Sequence, residues 1–206
     1  MKDKFLIILF LTQISYSQTE NDNYKLYSKI ISNHIETENK AIVIKNYKSE
    51  IEYLDMVFDT RTDEVTNLEL QYIYDKEFVK RLIKEPKLKK VATNLKYLET
   101  HKSEKINPNL LKVKSVELQF ITSRKYKSYF KSIFKKNRIS KGWKRIKRKY
   151  KSDIIFDFSK ISYLGNYASF YYGLHCGGLC GSGNIVIFEK INGKWNLITE
   201  LNIWMA

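Results

Sequence analysis

Eleven consecutive residues near the C-terminal end, Gly173 to Gly183, read GLHCGGLCGSG and hold five of the chain's eight glycines and both of its cysteines. Glycine accepts backbone angles closed to other residues, so this density predicts a tight, specially shaped loop rather than the interior of a strand or helix. β-type runs flank it on both sides, so the loop is expected to join two ribbons. The feature constrains architecture strongly and chemistry weakly.

From Asp153 onward the pattern is β throughout. Residues 154–163 predict a first ribbon, Gly165-Asn166 a hairpin turn, residues 167–172 a second ribbon and residues 185–190 a third. Asn192-Gly193 is a strong two-residue hairpin signal, because both residue types tolerate positive φ. In the fourth, residues 195–204, Trp195, Leu197, Leu201 and Ile203 alternate with Asn196, Glu200 and Asn202, with Thr199 the exception. The expected fold class is α+β: N-terminal helices and short strands packed on a C-terminal four-stranded antiparallel meander.

The front of the chain is mixed. Leu26, Ile30 and Ile31 predict an amphipathic helix over residues 23–35, and the apolar run 41–44 a short strand. Residues 50–74 are ambiguous; Asp59, Asp63 and Glu64 lie in an acidic turn that matches no calcium-loop spacing. Residues 76–84 predict a short helix ending before Pro86. Residues 88–98 predict another, since Leu88, Val91, Ala92, Leu95 and Leu98 recur at helical intervals. Val116, Leu118 and Phe120 alternate with polar residues and predict a strand over residues 113–121.

The N-terminus has the three parts of a secretory signal peptide. Lys2 and Lys4 precede an apolar run from Phe5 to Leu11, and Ser15-Tyr16-Ser17 sets small residues where a signal peptidase reads. Cleavage is expected between Ser17 and Gln18, and the apolar core is short of the ~20 residues of a spanning helix. No cysteine stands at that point to take a lipid, and no later run is long enough to cross a membrane. The expectation is a periplasmic or extracellular protein: a signal peptide (1–17), then one domain over 18–206. That domain comprises a mixed front part (18–123), basic amphipathic helices (124–151) and the β meander (153–206).

Residues 124–151 carry 14 lysines or arginines and no acid, within a chain of formal net charge +15. Tyr126, Phe130, Ile133 and Phe134, then Trp143, Ile146 and Tyr150, fall at helical intervals on either side of Gly142. Such a block serves either as the solvated side of two helices packed on the sheet or as a surface for a polyanion. The candidates for polyanion contact are Lys135, Lys136, Lys144, Arg145, Lys147, Arg148 and Lys149. The excess is lysine-driven, 31 lysines against six arginines. That favours loose attraction to an anionic surface or polymer over sequence-specific reading of nucleic acid.

Cys176 and Cys180, four apart in an exported chain, are expected to form a disulfide. Other arrangements fit the residues less well. A redox pair is normally Cys-x-x-Cys at the start of a helix, a spacing one residue shorter. A zinc site from His175, Cys176 and Cys180 lacks a fourth ligand. A nucleophilic cysteine with His175 as base needs its neighbour kept reduced. Ser182 stands between Gly181 and Gly183 but outside a Gly-x-Ser-x-Gly elbow. Asp153 and Asp157 share a strand face ~13 Å apart, too far for a glycosidase pair. No residue set therefore points to catalysis, a cofactor or a metal. His175, Gly177, Gly178 and Ser182 remain loop candidates for contact with a ligand.

The C-terminal half resembles a widespread family of uncharacterised exported proteins, frequent in flavobacteria and their relatives. The likeness runs from Gly142-Trp143 through Ser159-Lys160-Ile161, Tyr171-Tyr172-Gly173 and Cys176-Gly177-Gly178-Leu179-Cys180-Gly181-Ser182-Gly183. It continues through Glu189-Lys190 and Asn192-Gly193-Lys194-Trp195 to Trp204. Two departures stand out: Tyr150-Lys151 where the family has Tyr-Pro, and Trp204-Met205-Ala206 where it ends Trp-x-Ser. The resemblance implies export and domain type and supplies no mechanism. The function expected is a non-enzymatic binding or structural domain, with a cell-surface binder of lipopolysaccharide, anionic lipid or polysaccharide as the alternative. A thiol-redox or hydrolytic enzyme using residues 173–183 is a more distant one.

Overall fold

The structure, a computed structural model, describes residues 21–34, 41–45, 80–81, 84–93, 105–130, 138–178 and 180–206. The signal segment, the ambiguous stretch 50–74 and the candidates Lys135 and Lys136 lie outside the described residues.

Helix α1 covers residues 21–33. Strand β1 (Ala41–Lys45) and helix α2 (Pro86–Thr93) follow, then β2 (Glu117–Ile121), α3 (Ser123–Phe130) and α4 (Arg138–Tyr150). Strands β3 (Ile155–Phe158), β4 (Ser162–Leu164), β5 (Tyr167–His175), β6 (Gly181–Ile191) and β7 (Lys194–Met205) complete the chain. All seven strands among the described residues share one mixed sheet, in the order β2-β1-β3-β5-β6-β7, with β4 paired to β5. The fold is α+β, and its C-terminal strands run antiparallel from β3 onward.

The front strands do not pack beneath a separate meander, as the sequence suggested, but extend the same sheet. β1 pairs β2 in parallel, Ala41 opposite Glu117, and pairs β3 in parallel, Val43 opposite Ile155. The composition of β1 explains its place. All five of its residues are buried, and a strand apolar on both faces is satisfied only inside a sheet covered on both sides. The expected strand over residues 113–121 is shorter in the structure: Lys114, Ser115 and Val116 form a bend, with Ser115 at φ 68°.

The expected first ribbon is also in two pieces. Ser159 breaks it by bonding across to β5: its backbone N–H donates to Tyr171 O, and its hydroxyl accepts from Tyr171 N (2.8 Å) and donates to Lys160 O. Side-chain hydroxyls compete in this way with the strand ladder. β3 and β4 consequently line one edge of β5 in succession.

Alternation assigns the two faces of the sheet. Ile42, Ile44, Phe156, Phe158, Phe170, Tyr172, Val186 and Phe188 project to one side, where Leu26, Tyr27, Ile30 and Ile31 of α1 cover them. Val43, Ile121 and Ile155 project to the other, under Ile146 and Tyr150 of α4 and Tyr126, Tyr129 and Phe130 of α3. The charged sides of α3 and α4 are therefore turned outward. At the far end of the sheet, Tyr167 Oη donates to Glu85 (2.5 Å), and Arg81 bridges Glu85 and Glu189, tying the segment just before α2 to the β5–β6 ribbon.

Candidate functional site

Two places gather the chemistry-bearing residues. The first is the end of the β5–β6 ribbon. Cys176 and Cys180 stand within disulfide-bonding distance, their Cα atoms 5.0 Å apart, and Cys176 N–H donates to Cys180 O at 3.0 Å. Between them Gly177 has φ +133°, a conformation that L side chains rarely adopt. Breaking the pair by Cys180→Ser is expected to lower stability by about 2 kcal/mol, the chain-entropy value for so small a ring. Chemical denaturation with and without reductant measures it, and a variant as stable as the parent would show the ring to be irrelevant to the fold.

Only Gly177 and Gly178 belong to the turn. Gly173, Gly181 and Gly183 lie within strands, against the expectation that the glycine density marked a loop throughout. Their reason is space. A Cβ on Gly173 would overlap Asp157 Oδ1, and one on Gly183 would fall inside the Trp204 indole. On Gly181 it would sit 3.1 Å from Leu174 O and 3.2 Å from the same indole. Two glycines facing each other across β5 and β6 (Gly173 opposite Gly183) thus form a shallow trough that the indole of β7 and the carboxylate of β3 occupy.

This trough holds a polar cluster. Lys45 ends β1 one position beyond the Ile44–Phe156 pair, which brings it level with Asp157, and its ammonium donates to Asp157 Oδ2 at 3.0 Å. Both side chains are more than 90% buried. His175 Nε2 faces Asp157 Oδ1 at 3.4 Å, and neither atom has a hydrogen-bond partner among the described residues. Trp204 packs against the His175 ring (centroids 5.5 Å) and its Nε1 donates to Tyr171 Oη at 3.3 Å. Lys45 also lies 4.9 Å from the centre of the Tyr126 ring, which ties α3 to the cluster. Burial pushes the Asp157 carboxyl up, but the Lys45 ammonium and the His175 imidazole beside it pull harder the other way, leaving it well below the ordinary carboxylate range.

The sheet separates two loop candidates that the sequence set side by side. His175 pairs with Gly181 and projects to the face that carries the cluster, whereas Ser182 pairs with Leu174 and projects to the α1 face. Ser182 Oγ accepts from Asn184 Nδ2 at 3.0 Å. The two side chains cannot converge on one ligand, and no serine–histidine chemistry follows. Among the described residues no three His, Cys, Asp or Glu side chains come together as a metal ion would require. Nor is any described helix long and apolar enough to cross a membrane.

The second place is a cleft of about 500 Å³ between α3 and α4, lined by Lys125, Ser128, Tyr129, Arg145, Arg148 and Lys149. Gly142 brings the two helices together, since a Cβ there would meet the Phe130 ring at 2.5 Å. Helical spacing then sorts the basic residues. Arg145, Arg148 and Lys149 fall at i, i+3 and i+4 and turn toward α3, while Lys144 does not line the cleft. Lys147 is paired with Asp153 at 3.0 Å. Lys125 is held over the Tyr129 ring, 5.3 Å from its centre. Among the described residues Arg145, Arg148 and Lys149 have no acidic partner, and no carboxylate lines the cleft.

The sequence singled out the α4 half of this cleft and missed the α3 half. Lys125, Ser128 and Tyr129 also carry helical periodicity, but nothing local says which helix they face. Lys45 and Asp157 were missed as a pair, although each was detectable as a charge inside or at the end of an apolar strand run, where burial demands a partner. Compared with family models, with curated proteins and with solved structures, the chain matches none, so what the site can do rests on its own geometry.

Proposed function

We propose that the protein is an exported, non-enzymatic binding domain of the kind its C-terminal half resembles, and that it takes an anionic ligand in the cleft between α3 and α4. In this reading the four C-terminal ribbons act as a rigid meander that holds the two helices in place. The observation that carries it is the concave site walled by four cationic side chains, with no neutralising carboxylate among the described residues. Surface lysines alone are usually solvated, but unpaired guanidinium groups lining a cavity of ligand size are a different arrangement. Arg145 and Arg148 present planar forks suited to sulfate, phosphate or carboxylate oxygens. The Asp157 cluster has the opposite character: its charges are mutually compensated and largely buried, which suits holding the sheet together.

The test compares two variants of equal charge change. Arg145→Glu with Arg148→Glu is expected to weaken binding to heparin about ten-fold or more near physiological salt, and to flatten its salt dependence. Lys141→Glu with Lys144→Glu, on the exposed part of the same helix, should change it far less. Equal losses in both would mean that net charge alone attracts the polymer, and the cleft would have no part in it.

A further inference from the structure

We infer that the occupant of the α3–α4 cleft is an acidic saccharide, a short oligosaccharide bearing sulfate or phosphate groups; this rests on the anion-site reading above and narrows it. Three features of the lining go beyond positive charge.

The first is Ser128. Its hydroxyl proton is committed to the helix, donating to Lys125 O at 2.7 Å, so toward the cleft it offers lone pairs only. A fully ionised sulfate or polyphosphate has no proton to give it. A sugar hydroxyl has.

The second is Tyr129. Its ring is half-buried, held at 82° to the Tyr150 ring (centroids 6.5 Å). Its hydroxyl makes no hydrogen bond among the described residues. A rigid phenol with one such end matches a pyranose, which shows C–H groups and hydroxyls together.

The third is spacing. Arg145 and Arg148 are one turn apart, their Cβ atoms ~5–6 Å from each other, with Lys125 on the opposite wall. Cations distributed along a cleft suit anionic groups carried on successive sugar rings better than the closely condensed charges of a polyphosphate. A volume of about 500 Å³ takes a short oligosaccharide and lies within the range of small-ligand sites. Among the described residues the exposed large apolar side chains, Leu110, Ile139, Ile191, Leu197 and Met205, lie outside the lining, and an apolar rim of that kind is what insertion into a bilayer would require.

The purified protein is titrated calorimetrically with a sulfated heparin-derived tetrasaccharide, with tripolyphosphate, and with phosphatidylglycerol vesicles, at one ionic strength. The tetrasaccharide is expected to bind at least about ten-fold more tightly than tripolyphosphate. Ser128→Ala and Tyr129→Phe should each weaken the tetrasaccharide about three- to ten-fold, the effect of one lost hydrogen bond, and leave tripolyphosphate unchanged. Both substitutions keep the helix, which circular dichroism verifies. Tripolyphosphate or vesicles binding as tightly as the tetrasaccharide, or Ser128→Ala and Tyr129→Phe leaving the tetrasaccharide unaffected, would overturn the saccharide assignment. The anion site would stand as long as Arg145→Ala with Arg148→Ala weakens whichever ligand binds. If that variant binds all three as the parent does, the anion site falls as well.

Discussion

Lys45→Met is expected to cost the fold about 3–5 kcal/mol, the penalty for stranding one member of a buried ion pair. The substitution keeps the length and apolar stem of the side chain and removes only the ammonium. Asp157, at 6% exposure, then loses the ammonium that bonds its side chain and, among the described residues, keeps the His175 ring at 3.4 Å. For a domain of this size the loss appears as a fall in melting temperature on the order of 10 °C. Combining Lys45→Met with Asp157→Leu should recover most of it, because replacing both charges by apolar groups of similar volume is often close to neutral. A single variant within 1 kcal/mol of the parent by chemical denaturation would mean that water reaches the pair and that it carries little of the fold.

The same pair sets an acid limit. The Asp157 carboxyl is depressed in the folded chain from its ordinary 3.8, so the folded state holds its proton less tightly than the unfolded chain does. Its contribution is therefore fully present above about pH 4, and is lost as pH falls further, toward the folded-state value. The Lys45→Met/Asp157→Leu variant should lack this part of the acid sensitivity. Stability curves of the two proteins run between pH 3 and pH 6 measure the difference.

Gly173→Ala is the second large effect, expected at about 3 kcal/mol or more. A methyl group there overlaps Asp157 Oδ1 and comes within 2.7 Å of Tyr171 Oη. Overpacking alone costs about 1–3 kcal/mol, and here the group that must move is the carboxylate that Lys45 holds. The residue cannot give way without weakening the ion pair. In an Asp157→Ala background the added methyl finds room, so the cost of Gly173→Ala should shrink markedly. A cost that is the same in both backgrounds would locate the strain elsewhere, against Tyr171. Gly183→Ala makes an instructive contrast. It displaces the Trp204 indole, which is only half-buried, and so should lose the Tyr171 contact at smaller expense.

Much of the architecture was legible residue by residue. Ribbon positions followed from alternation, and the turn at Asn192-Gly193 from residue types that accept its positive φ, observed at 50° and 75°. The cysteine pair was legible from spacing. α1 and the split of the basic block into two helices came from apolar residues three and four apart. These signals are local, because backbone preference and side-chain period act over a few residues. The break at Ser159 was not legible, since it depends on which neighbour Ser159 meets: its hydroxyl and backbone bond Tyr171, twelve positions on.

The candidate site divides in the same way. The α4 arginines were named from their charge, but the cleft exists only because Gly142 lets α3 approach and sets Lys125 and Tyr129 opposite them. His175 and Ser182 were near neighbours along the chain. The register of β5 with β6 puts them on opposite faces.

Taken alone, the amino-acid order determined the centres of most described ribbons and helices, the turn at Asn192-Gly193, where positive charge would concentrate and which cysteines would meet. Tertiary structure decided that β1 and β2 join the C-terminal ribbons in one sheet, that Lys45 meets Asp157 across 112 residues, and that Gly142, Gly173, Gly181 and Gly183 make room rather than bend the chain. The physical reason is one of range. Local propensity is written in each residue's own backbone and neighbours, whereas parallel pairing, charge compensation and steric clearance belong to pairs of residues that meet only after the chain has closed on itself.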